Sequence, residues 1–253
     1  MDPIQEAGTL LARARAGDAI AGLPDALRPR TMEAAEAIQH ATLAALGERP
    51  GGWKVGRLEG HVFTAPIPAG HIIAQPEGKE GVSFRAERFI ELELALLFRR
   101  GATAADVTNL VLGDLTDLAT PATLLEFVRP RFLPDAQVTP LERIADCMAN
   151  QGAMVTPTLM PWRLEDLDGM GAAVLFQNGG EISRREGAHV AAPVVPLIHA
   201  LLDRLRRENR GIAAGEVITL GSLSGMPPIP TGGADYLGEV GQLTALRCRV
   251  APV

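Results

Sequence analysis

The chain has 253 residues, of which 47% are hydrophobic and 21% charged, enough apolar material for a substantial core and too much for a disordered chain. A net charge of −6 argues against nucleic-acid binding, which needs concentrated lysine and arginine. Two cysteines, Cys147 and Cys248, exclude a disulfide framework, and without a CxxC pair they suggest no zinc site. No apolar run approaches the ~20 residues of a membrane span, and the start MDPIQEAG lacks the pattern of a secretory signal, so a cytoplasmic globular protein is expected.

In chain order, apolar residues recur at helical spacing over Gln5–Ala16 and Thr31–Leu46, with Thr31 as N-cap and Gly47 as the stop. Both segments are rich in alanine, so they are expected to pack on the remainder of the chain rather than build its main core. From Gly52 onward short apolar runs replace amphipathic ones. Strands are expected at Gly52–Val55, Phe89–Phe98, Ala172–Phe176, Val217–Gly221 and Gly241–Val250. Asn178-Gly179-Gly180 marks a hairpin turn. A helix opens at Pro193 and Pro196, shows an apolar face from Val195 to Leu205, and is expected to stop at Gly211; another is expected over Ala104–Thr116. Strands and helices do not alternate regularly, so the fold class is α+β, with a helical segment at 1–50 and a β-rich unit at 51–253, expected to fold together as one compact unit.

Familiar signatures are absent. There is no GxxxxGK[ST], no GxGxxG and no HExxH, and Gly221-Ser222-Leu223-Ser224-Gly225 has leucine where a nucleophile elbow needs serine. The informative segment is FIELELALLF from Phe89 to Phe98. On a strand, Glu91 and Glu93 share one face while Ile90, Leu92 and Leu94 take the other. Two carboxylates ~6 Å apart repel by roughly 3 kcal/mol at an effective dielectric near 20. Burial adds desolvation, and Mg²⁺ or Mn²⁺ would relieve both. The alternative is an edge strand whose polar face lies in water. Glu126, again an acid among apolar neighbours, is the candidate third ligand. Arg129 and Arg131 nearby could grip a substrate carboxylate or be surface charge. Lys54, in Gly51-Gly52-Trp53-Lys54-Val55-Gly56, is either a buried proton carrier with a depressed pKa or a lysine whose head snorkels to solvent.

Taken in order, these segments resemble the fumarylacetoacetate hydrolase superfamily, in its 2-keto-4-pentenoate hydratase and 4-oxalocrotonate decarboxylase branch. Gly52-Trp53-Lys54-Val55-Gly56 is similar to the branch's G-[YW]-K-[VI]-G, and Ile90-Glu91-Leu92-Glu93-Leu94-Ala95 to its V-E-x-E-[IL]-A strand. Leu125 to Phe132 is similar to the segment carrying the third metal ligand, and Ile144-Ala145-Asp146-Cys147 to V-A-D-N. Asn178-Gly179, the helix from Pro193 and the stretch Ala214–Leu223 continue the likeness, which spans roughly residues 35 to 250. The resemblance implies N-terminal helices on a mixed β-sheet roll and a homo-oligomer. It implies Mg²⁺ or Mn²⁺ held by Glu91, Glu93 and Glu126, with Lys54 catalytic. Arg131, Arg129 and Ser222 would then bind a small 2-oxo acid. The expected activity is a hydratase-type lyase on a 2-hydroxydienoate or 2-oxo-enoate. A 2-oxo acid decarboxylase and a partner subunit without turnover are the alternatives.

The chain also departs from the branch. Arg57-Leu58-Glu59 replaces L-T-S after the lysine segment, Pro66-Ile67-Pro68-Ala69-Gly70 lacks the aspartate of P-D-[FY]-G, and Arg129-Pro130 replaces D-S. The metal ligands remain while the residues around the distal end of a substrate change. Glu59, His61 and His71 become the candidates for a water-activating base.

Overall fold

The structure, a computed structural model, describes residues 2–75 and 88–252. In chain order its elements are α1 (Pro3–Ala16), α2 (Met32–Leu46), β1 (Pro50–Leu58), β2 (His61–Pro68), β3 (Ile72–Ala74), β4 (Phe89–Phe98), α3 (Ala104–Asn109), α4 (Leu115–Leu118), β5 (Ala119–Val128), α5 (Pro140–Ala145), β6 (Asn150–Pro157), β7 (Ala173–Gln177), β8 (Gly180–Arg185), α6 (Val195–Arg207), β9 (Val217–Ser222), β10 (Ala234–Val240) and β11 (Leu246–Val250).

The N-terminal helices have the caps their sequence predicts. Thr31 accepts a hydrogen bond from the Ala34 N–H, and Gly47 closes α2 in the left-handed region at φ 68°. Small side chains let α1 and α2 approach closely; a Cβ on Gly8 would lie 2.5 Å from that of Ala41. Leu11, Ala35 and Ile38 then share a small core with Leu23, Phe63 and Ile144, which ties the pair to β2 and α5.

Seven strands form one mixed sheet in the order β2–β1–β9–β4–β5–β6–β3, and four form an antiparallel sheet, β11–β10–β7–β8. β2, at one edge of the large sheet, touches β6 near the other, so the sheet rolls around its inner face. Alternation along β4 sends Ile90, Leu92, Leu94 and Leu96 outward, where α6 and the second sheet cover them in the main core. The inner face carries Glu91 and Glu93, followed by Ala95, which joins a small apolar cluster with Ala122, Leu124, Ala153 and Val155. The α+β class and the β-roll architecture therefore hold, and β4 is a central strand rather than an edge one.

Some boundaries differ from expectation. The helix expected over Ala104–Thr116 is broken after Asn109, because Leu110 turns extended at ψ 122°. Val107, Leu110 and Leu115 all reach the core, and the five-residue step from Leu110 to Leu115 does not fit one helical face. Asn209 at φ 48°, not Gly211, takes the left-handed position after α6. The strand expected from Gly241 begins at Leu246, because Gly241 at φ 50° turns the chain between β10 and β11.

Candidate metal centre

Strand pairing assembles the centre. Glu91 on β4 stands opposite Glu126 on β5, and Glu93 follows on the same face opposite Leu124. β9 enters from the other side with an extra residue: Ser222 pairs with Glu93, but Thr219 pairs with Ala95. Gly221 takes up the bulge at φ 109°, and its N–H donates to Glu93 Oε2 at 3.1 Å. Lys54 reaches the cluster from β1, one strand beyond β9. Its Nζ donates to Glu126 Oε2 at 2.7 Å and to Glu91 Oε2 at 3.1 Å, and lies 4.0 Å from Glu93 Oε1.

All four side chains are buried, with Glu93 and Glu126 fully inaccessible. Burial pushes the Glu93 carboxyl well above the usual range, and neighbouring Glu126 adds to the effect. Burial raises Glu91 as well, against the opposing pull of Lys54. Lys54 itself corrects the expectation of a depressed pKa. Burial lowers it, but Glu126, Glu91 and Glu93 together outweigh burial and hold it above a free lysine.

The residues fit a divalent cation. One ligand oxygen from each of Glu91, Glu93 and Glu126 lies within 4.8 Å of the other two. Glu93 Oε1 is buried without a hydrogen-bond partner among the described residues. With all three acids ionised, Lys54 leaves two negative charges unbalanced, which an oxygen-preferring divalent ion would neutralise.

A cavity of about 330 Å³ reaches this cluster, lined by Lys54, Glu91, Arg131 and Asp146 and walled by apolar residues including Val128, Phe132 and Met148. A second, more open cavity of about 450 Å³ beside Arg99, Asp117 and Trp162 gathers no such cluster among the described residues.

The other candidates are placed as follows. Ser222 pairs with Glu93 across the β4–β9 ladder, and its hydroxyl donates to the Gly225 carbonyl at 2.9 Å. Arg131 lines the cavity, but its guanidinium is engaged with the carbonyls of Arg129 and Asn150 and lies 3.4 Å from Asp146. Arg129 does not line the cavity; it donates to the carbonyls of Arg15 and Gly17 at the end of α1. Both arginines are tied to backbone rather than left free to clamp a carboxylate. Glu59 sits in the β1–β2 turn, and His61 pairs with Leu58, four strand residues, about 13 Å, along from Lys54. His71 meets the Gln151 carbonyl at 2.7 Å. None of these three lines the cavity.

Local sequence gives no sign of two further residues, one in the cavity wall and one buried behind Glu126. Asp146 is a buried acid pushed up to about 6 by burial, against Arg131 and Arg15. Asn150 donates its side-chain amide to Glu126 Oε1 at 3.0 Å.

No protein-family model matches the sequence, and no curated protein does. Solved structures do match by fold. The 4-oxalocrotonate decarboxylase from Pseudomonas putida G7, complexed with magnesium and adipate, superposes with a TM-score of 0.73 at 17% identity over 98% of this chain and 97% of that one. This chain therefore shares the fold of that decarboxylase. Fumarylpyruvate hydrolase from Pseudomonas aeruginosa, in complex with Mn²⁺ and pyruvate, superposes with a TM-score of 0.51 at 16% identity over 81% of this chain and 91% of that one. The likeness read from short motifs thus holds at the level of the fold. Among the described residues, no helix is long and apolar enough to cross a membrane.

Proposed function

We propose that this chain is a divalent-metal-dependent enzyme acting on a 2-oxo acid, with hydration of a 2-hydroxydienoate or 2-oxo-enoate as its reaction. The observation that carries this reading is the convergence of Glu91, Glu93, Glu126 and Lys54 at a largely apolar cavity. Glu91, Glu93 and Glu126 would hold Mg²⁺ or Mn²⁺, which as a Lewis acid supplies a chelation point for the carboxylate and C2 oxygen and stabilises enolate charge. The magnesium and manganese in the two structural neighbours support the choice of ion.

The protein's own residues account for the remaining steps. Lys54, kept as an ammonium by the three carboxylates, donates a hydrogen bond to the substrate head. The apolar walls of the cavity keep bulk water from the enolate, which strengthens those contacts. Hydration adds water at C4. Asp146, which lines the cavity where Glu59, His61 and His71 do not and whose pKa burial pushes up to about 6, would take the proton of that water.

Decarboxylation is the second reading. It would use the same enolate, and it is favoured by the nearly end-to-end superposition on a decarboxylase. The Mn²⁺-loaded protein would be incubated separately with a 2-hydroxydienoate and a 2-oxo-3-enedioate. Loss of the dienoate's ultraviolet absorbance without CO₂ supports hydration, and CO₂ from the enedioate supports decarboxylation. Either activity must disappear in Glu91→Gln, and undiminished turnover in that variant would refute the metal mechanism.

A further inference from the structure

We propose that Asn150 is a positioning residue for Glu126, fixing one carboxylate oxygen so that the other is presented to the cation; this rests on the metal reading above. Asn150 is fully buried, and its Nδ2 donates to Glu126 Oε1 at 3.0 Å, while Glu126 Oε2 faces Lys54. An ionised carboxylate only accepts hydrogen bonds, so the amide nitrogen must face it. The bond removes Glu126's freedom to rotate, as groups behind metal ligands generally do.

The chain holds Asn150 in place at a cost. Cys147, Met148 and Ala149, which precede it, all have positive φ, at 53°, 53° and 61°. Non-glycine residues are strained in that region, and such strain persists only where surrounding contacts enforce it. Asn150 Oδ1 is buried with no hydrogen-bond partner among the described residues. An apolar residue would avoid that penalty, so the amide is explained by what its nitrogen does.

Two arginines supply the enforcing contacts. Arg15, from α1, donates to the Asn150 carbonyl at 2.7 Å and to the Gln151 carbonyl at 2.9 Å, and Arg131 donates to the Asn150 carbonyl as well. Arg129 closes the arrangement by holding the end of α1 through the Arg15 and Gly17 carbonyls. The N-terminal helix thus reaches the metal centre through one side chain, with Asn150 as the link. The arginines read from sequence as substrate clamps hold this link instead.

The test is Mn²⁺ binding to the full chain, by calorimetry and electron paramagnetic resonance, for wild type, Asn150→Leu and Arg15→Met, with thermal unfolding as a folding control. Asn150→Leu keeps the shape and removes the donor; its affinity should fall about 10- to 100-fold. The resonance spectrum of the bound ion, which reports ligand symmetry, should change; a loss of stability alone would not change it. Arg15→Met should shift affinity and spectrum in the same direction by a smaller factor, and it decides the matter if Asn150→Leu does not fold. Folded variants that bind Mn²⁺ with wild-type affinity and spectrum would overturn the positioning role and leave the metal reading standing. Failure of wild type to bind Mn²⁺ would overturn both.

Discussion

Glu91 and Glu126 face each other across the β4–β5 ladder, and the Lys54 ammonium joins them at 3.1 and 2.7 Å. Like charges directly opposite on neighbouring strands destabilise a sheet, so Lys54 is the cation that lets this pair fold together without metal. Lys54→Met should cost the metal-free protein about 3–5 kcal/mol, the usual effect of leaving a buried charge unpaired. Mn²⁺ should then raise the melting temperature of the variant more than that of wild type. Equal shifts would show that ammonium and metal do not share the same carboxylates.

Glu93 faces the opposite balance. Its Oε1 has no hydrogen-bond partner among the described residues, and burial disfavours its charge. Glu93→Gln should therefore stabilise the metal-free protein by about 1 kcal/mol, seen as a rise of about 2–4 °C in melting temperature. The same variant should lose the stabilisation that Mn²⁺ gives wild type. A lower melting temperature together with intact metal binding would contradict the proposed role of this carboxylate.

Asp146 gives a pH prediction with a defined sign. Its folded-state pKa, about 6, lies above the ordinary value of 3.8, so the folded state holds the proton more tightly than the unfolded chain. Stability from this group is complete below the lower value and is lost as pH rises through the upper one. The loss is roughly 3 kcal/mol between about pH 4 and pH 6. Asp146→Asn should flatten this part of the stability profile. His189, lowered to about 4 by burial, acts in the opposite direction, but it is present in both proteins and cancels in the comparison. Denaturant unfolding at a series of pH values tests this, and parallel profiles would refute it.

Local sequence revealed the centre unevenly. Period-two alternation placed Glu91 and Glu93 on one face, and β4 has the predicted ends Phe89 and Phe98. Helix caps at Thr31 and Gly47 were equally plain, because capping depends on a few neighbouring residues. β5 and β6 were missed as strands; β5 is buried along its whole length, so neither shows alternation. That Glu126 stands opposite Glu91 is a long-range register, which the likeness to known motifs suggested but spacing could not give. Asn150 left no local signal at all. Its contact with Glu126 depends on a shift in the β5–β6 register and on Arg15, which lies 135 residues earlier. Arg129 and Arg131 looked free because their partners are backbone carbonyls, which a sequence does not display.

The most direct test of the central claim is a calorimetric Mn²⁺ titration of wild type and Glu126→Gln, each with and without oxalate as a mimic of the chelating enolate head. Wild type should bind the ion, oxalate should tighten that binding, and the substitution should abolish it. Absence of Mn²⁺ binding in wild type, or binding that survives Glu126→Gln unchanged, would mean that these buried acids are not a metal centre.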